Sequence, residues 1–129
     1  MSPSKPESTD APVWTTLAYH WLDEATVEWD AGEEYAFGDG SGGSIVHGGL
    51  VATLLDSAMG SVCLHGLDDG QSFLTADLHV DFYRAARPGR LRAGGRIVHR
   101  TRRAMFCAAD LHDAEGALLA SARATQIVR

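Results

Sequence analysis

The sequence predicts an α+β domain in which a curved antiparallel sheet wraps around one long central helix. Three observations predict it. A run from His47 to Leu64 is apolar on nearly every side, four strand-like segments follow it through short turns, and 129 residues suit one domain. A helix that is apolar almost all round must be covered, and a sheet that curves round it does so.

The opening residues, MSPSKPESTDAP, lack the apolar stretch of a secretory signal and are expected to form a disordered tail over 1–12, ahead of one domain over 13–129. Pro12 suits a first helical turn, and Val13, Leu17, Ala18 and Trp21 recur at helical spacing, so a short helix is expected over 12–21. Ala25 to Trp29 and Tyr35 to Phe37 read as two short strands around the turn Asp30-Ala31-Gly32. Gly38 to Ser44 is a glycine-rich loop, and the long helix follows from about His47 to Leu64.

After the loop His65 to Gln71, Leu74, Ala76, Leu78, Val80 and Phe82 alternate with Thr75, Asp77, His79 and Asp81. That is the period of a half-buried strand, and it assigns the apolar set to the core face. Pro88-Gly89 marks a turn, Leu91 to Arg100 a second strand, and Thr101-Arg102-Arg103 a hairpin tip. Met105, Cys107, Ala109 and Leu111 share one face of a third strand. Asp113 to Gly116 turns the chain into a last strand over Ala117 to Val128, and the strands together read as a meander.

Charge is divided along the chain. Fourteen of the 17 acids and a single base, Lys5, lie at or before Tyr83, while ten arginines and three acids follow. The net charge of −6 argues against nucleic acid as a partner, and no apolar run approaches the roughly 20 residues of a membrane span. The asymmetry has two readings. Either the arginines build a surface for an anion, with Arg84, Arg87, Arg90, Arg102 and Arg103 as candidates, or the halves neutralise each other across the fold. Cys63 and Cys107 lack metal or redox spacing and read as buried reduced thiols, which points to the cytoplasm.

The central helix carries the chemistry. Leu50, Val51, Leu54, Leu55, Ala58, Met59, Val62 and Cys63 cover most of its circumference, and Gly49, Thr53, Asp56, Ser57, Gly60 and Ser61 form a narrow polar stripe. Aspartate is a poor mid-helix residue, and an uncompensated buried charge is costly. Asp56 is therefore either a working carboxylate or a structural one bonded to a hydroxyl or a loop N–H. His47-Gly48-Gly49 opens the helix, where backbone N–H groups lack intrahelical partners and glycine lets a substrate approach them. No serine-elbow or metal motif accompanies these residues, so neither metal nor cofactor is expected.

The run Val46-His47-Gly48-Gly49 through Asp56 to Gly60, with Thr75-Ala76-Asp77-Leu78-His79-Val80-Asp81-Phe82-Tyr83-Arg84, resembles the PaaI-type hotdog acyl-CoA thioesterases over roughly residues 40–128. The resemblance implies that Asp56 attacks the thioester carbon or activates a water to do so. It implies that the Gly48 N–H polarises the thioester carbonyl and that Thr75 orients the water. His47, Gly49, Ser57, Ser41, Arg84, Arg102 and Arg103 would contact substrate. It also implies a homodimer that builds each site from two chains, and pairing of dimers into a homotetramer.

Two positions depart from the family. Many relatives carry Asn or Gln six residues before the motif histidine, where this chain has Ser41 in a re-spaced loop, leaving that polar contact to Asp39, Ser41 or neither. Tyr83-Arg84-Ala85-Ala86 lacks the usual proline. By strand parity Thr75 points away from the core face, so it reaches the site only at the strand's start, through a bulge or from a neighbouring subunit.

Acyl-CoA hydrolysis is the leading expectation. A hydratase or dehydratase needs a histidine beside a carboxylate; His47 lies about 13 Å from Asp56 along one helix, too far within one chain, although a dimer could bring them closer. An idle acyl-CoA-binding protein would not need both Asp56 and the glycine turn. Trp14, Trp21, Phe73 and Met59 are candidate pocket residues or ordinary core.

Overall fold

In the computed structural model the chain is described from Ala11 to Arg129, and most of the expected tail, residues 1–10, lies outside the described residues. The elements are α1 (Pro12–Thr16), β1 (His20–Trp21), β2 (Thr26–Ala31), a 3-10 turn (Glu33–Tyr35), β3 (Ala36–Gly38), β4 (Ser44–Val46), α2 (Gly48–His65), β5 (Phe73–Phe82), β6 (Gly89–Arg100), β7 (Ala104–Asp113) and β8 (Leu118–Val128). Six strands form one antiparallel sheet in the order β1-β2-β6-β7-β8-β5, and β3 pairs with β4 apart from it. The sheet curves around α2, giving the expected hotdog arrangement.

The core explains the wrap. Val51, Leu54, Leu55, Ala58, Met59 and Cys63 of α2 are buried against Met105, Cys107, Ala109 and Leu111 of β7 and the alanines of β8. Small residues let helix and sheet approach. A Cβ placed on Gly95 of β6 would lie 2.6 Å from the Ala58 carbonyl oxygen, so only glycine fits there. The two thiols are free and buried, and burial pushes Cys63 up to about 12 and Cys107 up to about 11.

Four expectations need correction. The helix expected over 12–21 stops at Thr16, because Ala18 adopts a left-handed φ of 58° and turns the chain into β1. The segments expected to pair around Asp30-Ala31-Gly32 do not: β2 joins β1 and β6, while β3 pairs with β4 across the glycine loop. The meander holds only for β6-β7-β8, since β5 lies beside β8.

The fourth correction concerns the face of β5. The register shifts between Thr75 and Asp77, so Ala76 is an extra residue in the ladder. Phe73 and Thr75 face the helix before the bulge, opposite buried Val128 and Gln126, and Leu78, Val80 and Phe82 face it afterwards, opposite buried Ala124, Ala122 and Ala120. Leu74 and Ala76, expected on the core face, are exposed.

Candidate active site

The bulge decides the geometry of the site. It lets Thr75 share the inner face with residues of opposite parity, and the Thr75 hydroxyl donates to Asp56 Oδ1 at 3.4 Å. Asp56 is half-buried in the middle of α2. Burial raises its pKa above the ordinary aspartate value, and the Thr75 hydrogen bond opposes that rise. A half-buried carboxylate held by one long hydrogen bond keeps most of its lone pairs free, which suits proton abstraction or attack on a carbonyl carbon.

At the other end of the site His47 caps α2: its Nδ1 accepts from the Gly49 N–H at 3.1 Å. The N–H groups of Leu50 and Val51 bond the His47 carbonyl. Among the described residues the Gly48 N–H has no acceptor, at the positive end of the helix dipole. Gly48 also lines an apolar groove of about 370 Å³ with Phe37, Ile45, Val51, Phe82 and Ala86. Gly48 and Asp56 are eight residues apart, about 12 Å along the helix, too far to act on one carbonyl within a single chain.

The polar stripe divides in space. Thr53, Asp56 and Gly60 stay half-exposed, whereas Ser57 and Ser61 are buried toward the N-terminal segment. The Ser57 hydroxyl donates to the Thr53 carbonyl at 2.7 Å and the Ser61 hydroxyl to the Glu24 carbonyl at 2.7 Å. Ser41 is exposed, and both its N–H and hydroxyl donate to Asp39, which also binds Arg87 at 2.6 Å. These bonds, Ser41 foremost, hold the Asp39 carboxyl well below the usual range and tie the loop to itself.

The arginines fall into two groups. Arg87 pairs with Asp39, Arg90 with Asp30, Arg92 with Glu28, and Arg96 with Asp110, while Arg100 donates to the Gly66 carbonyl. Those joining Asp39, Asp30 and Glu28 neutralise the acidic half across the fold. Arg84, Arg102 and Arg103 are exposed and form no ion pair among the described residues. Arg84 follows one end of β5, and Arg103 receives the Val128 N–H at the other end, about 30 Å away by the length of the strand.

Two residues escaped the sequence reading, Tyr19 close to Asp56 and Gln126 opposite Thr75. The Tyr19 hydroxyl is buried without a hydrogen-bond partner among the described residues, close enough to Ser57 and Asp56 to be affected by both. Burial drives it above the usual tyrosine range, Ser57 opposes and the Asp56 charge adds. The left-handed turn at Ala18, which places Tyr19 against Trp29, has no sequence signal. Gln126 is fully buried opposite Thr75, and neither of its amide atoms has a partner among the described residues. Its signal was present: it is the one polar residue in the inward series Ala120, Ala122, Ala124, Gln126, Val128. Of the proposed pocket residues, Met59 is core, Trp14 and Trp21 pack together with centroids 4.8 Å apart, and the Phe73 ring lies against Gly60.

The sequence matches the thioesterase superfamily over residues 43–120, which contain α2 and β5 to β7. The chain belongs to the thioesterase superfamily. This thioesterase-superfamily chain is 33% identical over 98 residues to the medium/long-chain acyl-CoA thioesterase YigI of Escherichia coli strain K12, covering 66% of this chain and 63% of the relative. It thus spans a little under two thirds of the length of the curated relatives it matches. Among solved structures, the BH2602 protein from Bacillus halodurans, determined with CoA, superposes with a TM-score of 0.80 at 26% identity, covering 91% of this chain and 75% of that one. A phenylacetic acid degradation-related protein from Ralstonia eutropha JMP134 gives 0.78 at 28% identity, covering 91% and 89%. Among the described residues no helix is long and apolar enough to cross a membrane, and no three His, Cys, Asp or Glu side chains cluster as a metal site requires.

Proposed function

We propose that the chain hydrolyses acyl-CoA thioesters to free CoA and a carboxylic acid, with Asp56 as the reacting carboxylate. The observation that carries this reading is Asp56 itself: a half-buried, pKa-raised carboxylate, the one acidic residue of a largely apolar helix, touched by the Thr75 hydroxyl. The named relative is an acyl-CoA thioesterase and one structural neighbour was determined with CoA, which supports the substrate class.

In this reading the thioester carbonyl oxygen accepts the Gly48 N–H at the helix N-terminus, where charge developing on oxygen is stabilised. An apolar arm of the substrate occupies the groove beside Gly48. Asp56 takes a proton from a water oriented by Thr75, the water oxygen bonds to the carbonyl carbon, and the carbon–sulfur bond breaks. The proton then passes to the departing CoA thiolate. In the nucleophilic variant Asp56 bonds the carbon first and water cleaves the resulting anhydride. A single turnover in H₂¹⁸O separates the two, since only the nucleophilic route, with water attacking the Asp56 carbonyl, leaves label on the protein.

The separation of Gly48 and Asp56 along α2 leads us to a homodimer in which each site takes Asp56 from one chain and Gly48 from the other. Arg102 and Arg103, whose side chains form no ion pair among the described residues, are assigned to the CoA phosphates. The first test is a panel of acyl-CoAs with a thiol reagent. Release of free CoA that depends on Asp56 supports hydrolysis; a changed acyl group without free thiol, or no change at all, overturns it.

A further inference from the structure

The inner face of β8 carries an anomaly that hydrolysis by Asp56 alone does not use. Gln126 has 0% exposure, and neither Oε1 nor Nε2 has a hydrogen bond among the described residues. A buried amide without partners is costly, and a leucine or methionine would serve the core better. The buried hydroxyls of Ser57 and Ser61 each satisfy themselves on a backbone carbonyl, whereas the Tyr19 hydroxyl and the Trp21 indole N–H are, like Gln126, buried without a partner among the described residues; of these Gln126 alone is an amide, with both its donor and its acceptor unmet. Gln126 sits directly opposite Thr75 in the β5–β8 register, on the same face. Side chains so placed have Cβ atoms about 5 Å apart, within the reach of a glutamine amide. Thr75 in turn makes a long 3.4 Å bond to Asp56. A long catalytic hydrogen bond and an unpartnered amide thus occupy adjacent positions, and such contacts tighten when substrate binds.

We infer that Gln126 is a positioning residue that acts through Thr75. A hydroxyl has one proton to donate and lone pairs that accept. When Nε2 donates to Thr75 Oγ1, the threonine proton is committed to Asp56 or to the water beside it. Gln126 thereby supplies, from the last strand, a carboxamide to a site whose upstream loop offers only Ser41 and Asp39, which are bonded to each other. The inference rests on the roles proposed above for Asp56 and Thr75.

The test compares Gln126→Met, Thr75→Val and the double variant in steady-state acyl-CoA hydrolysis and thermal melting, with Asp56→Asn as reference. Gln126→Met should lower kcat about tenfold with little change in KM, the loss expected for one hydrogen bond at a charged site. Its melting temperature should stay level or rise, because an unsatisfied amide has been removed. The double variant should be no slower than Thr75→Val alone, since one residue acts through the other. Gln126→Leu repeats the measurement with a differently shaped side chain. Unchanged kcat, additive losses, or a drop in melting temperature or failure to fold in both Gln126 variants would overturn the inference. Should Asp56→Asn remain active, the underlying reading fails as well. Should Asp56→Asn be inactive while Gln126→Met matches wild type, only the role of Gln126 is lost.

Discussion

Thr75 reaches Asp56 because β5 carries one residue too many. The bulge at Ala76 sets the threonine on the inner face, its hydroxyl 3.4 Å from Asp56 Oδ1, while Leu78 and Phe82 keep that face beyond it. A regular strand through the same residues would turn either Thr75 or the apolar series away from the helix. Bulges recur beside active sites for this reason.

Asp56→Asn should retain the fold and acyl-CoA binding and lose at least about 10²-fold in kcat, the low end for removing a general base. Asparagine keeps the shape but accepts no proton. Stability should move the other way. Burial raises the folded-state pKa of Asp56 above the ordinary 3.8, so the native protein holds that proton longer than the unfolded chain. Its contribution is complete below pH 3.8 and is lost as pH rises through the folded value. The melting temperature of the variant relative to wild type should therefore climb with pH above 3.8 and then level. Wild-type activity should climb over the same window as the carboxylate ionises. A variant that melts lower and turns over normally would make Asp56 structural.

Thr75→Val removes the one hydrogen bond among the described residues that offsets burial of Asp56. The ionisation governing kcat should shift to higher pH, and kcat on the plateau should fall about tenfold, equivalent to about 1.4 kcal/mol. A pH–rate profile superimposable on wild type would remove Thr75 from the site.

Much of this arrangement was legible in the residues. An apolar helix broken by a single aspartate, and strands separated by Pro88-Gly89, Thr101-Arg103 and Asp113-Gly116, suffice for the wrapped helix and four of its strands. Hidden features depend on contacts between distant segments. The pairing of β3 with β4 and of β5 with β8 is set by tertiary register, and Ala76 has nothing in its chemistry that announces a bulge. Tyr19 was hidden by a left-handed alanine inside an apparently helical spacing. The arginines could be counted but not sorted, because their partners at Asp39, Asp30 and Glu28 lie dozens of residues away.

Arg102 and Arg103 remain exposed at the β6–β7 tip, which makes them testable as a pair. The double change to alanine should raise KM for acyl-CoA several-fold at low ionic strength, with the difference shrinking as salt screens the phosphates. Removing both should leave kcat unchanged, because the pair is assigned to holding the CoA phosphates and not to the reacting carbon. An unaltered KM across salt concentrations would assign the pair another purpose.

The shared site can be tested by mixing subunits. β5 is an edge strand of ten residues, and Leu78 and Phe82 on its inner face are 39% and 55% exposed. Such an edge invites a second sheet. Sedimentation at micromolar concentration should show a dimer or larger species. Gly48→Pro is a clean way to delete the N–H proposed to polarise the carbonyl. Gly48 is the first residue of α2, where proline is favoured, and His47 before it has φ −54° and ψ 128°, which proline tolerates. A Cβ there meets only the Phe82 ring at an ordinary 3.6 Å. Gly48→Pro and Asp56→Asn homodimers should each be nearly inactive. Dissociated and reassociated at equal amounts, they should recover about a quarter of wild-type activity: half the dimers are mixed, and each holds one intact site of two. If one chain supplied both groups, mixing would restore nothing, and the two-chain site would be wrong.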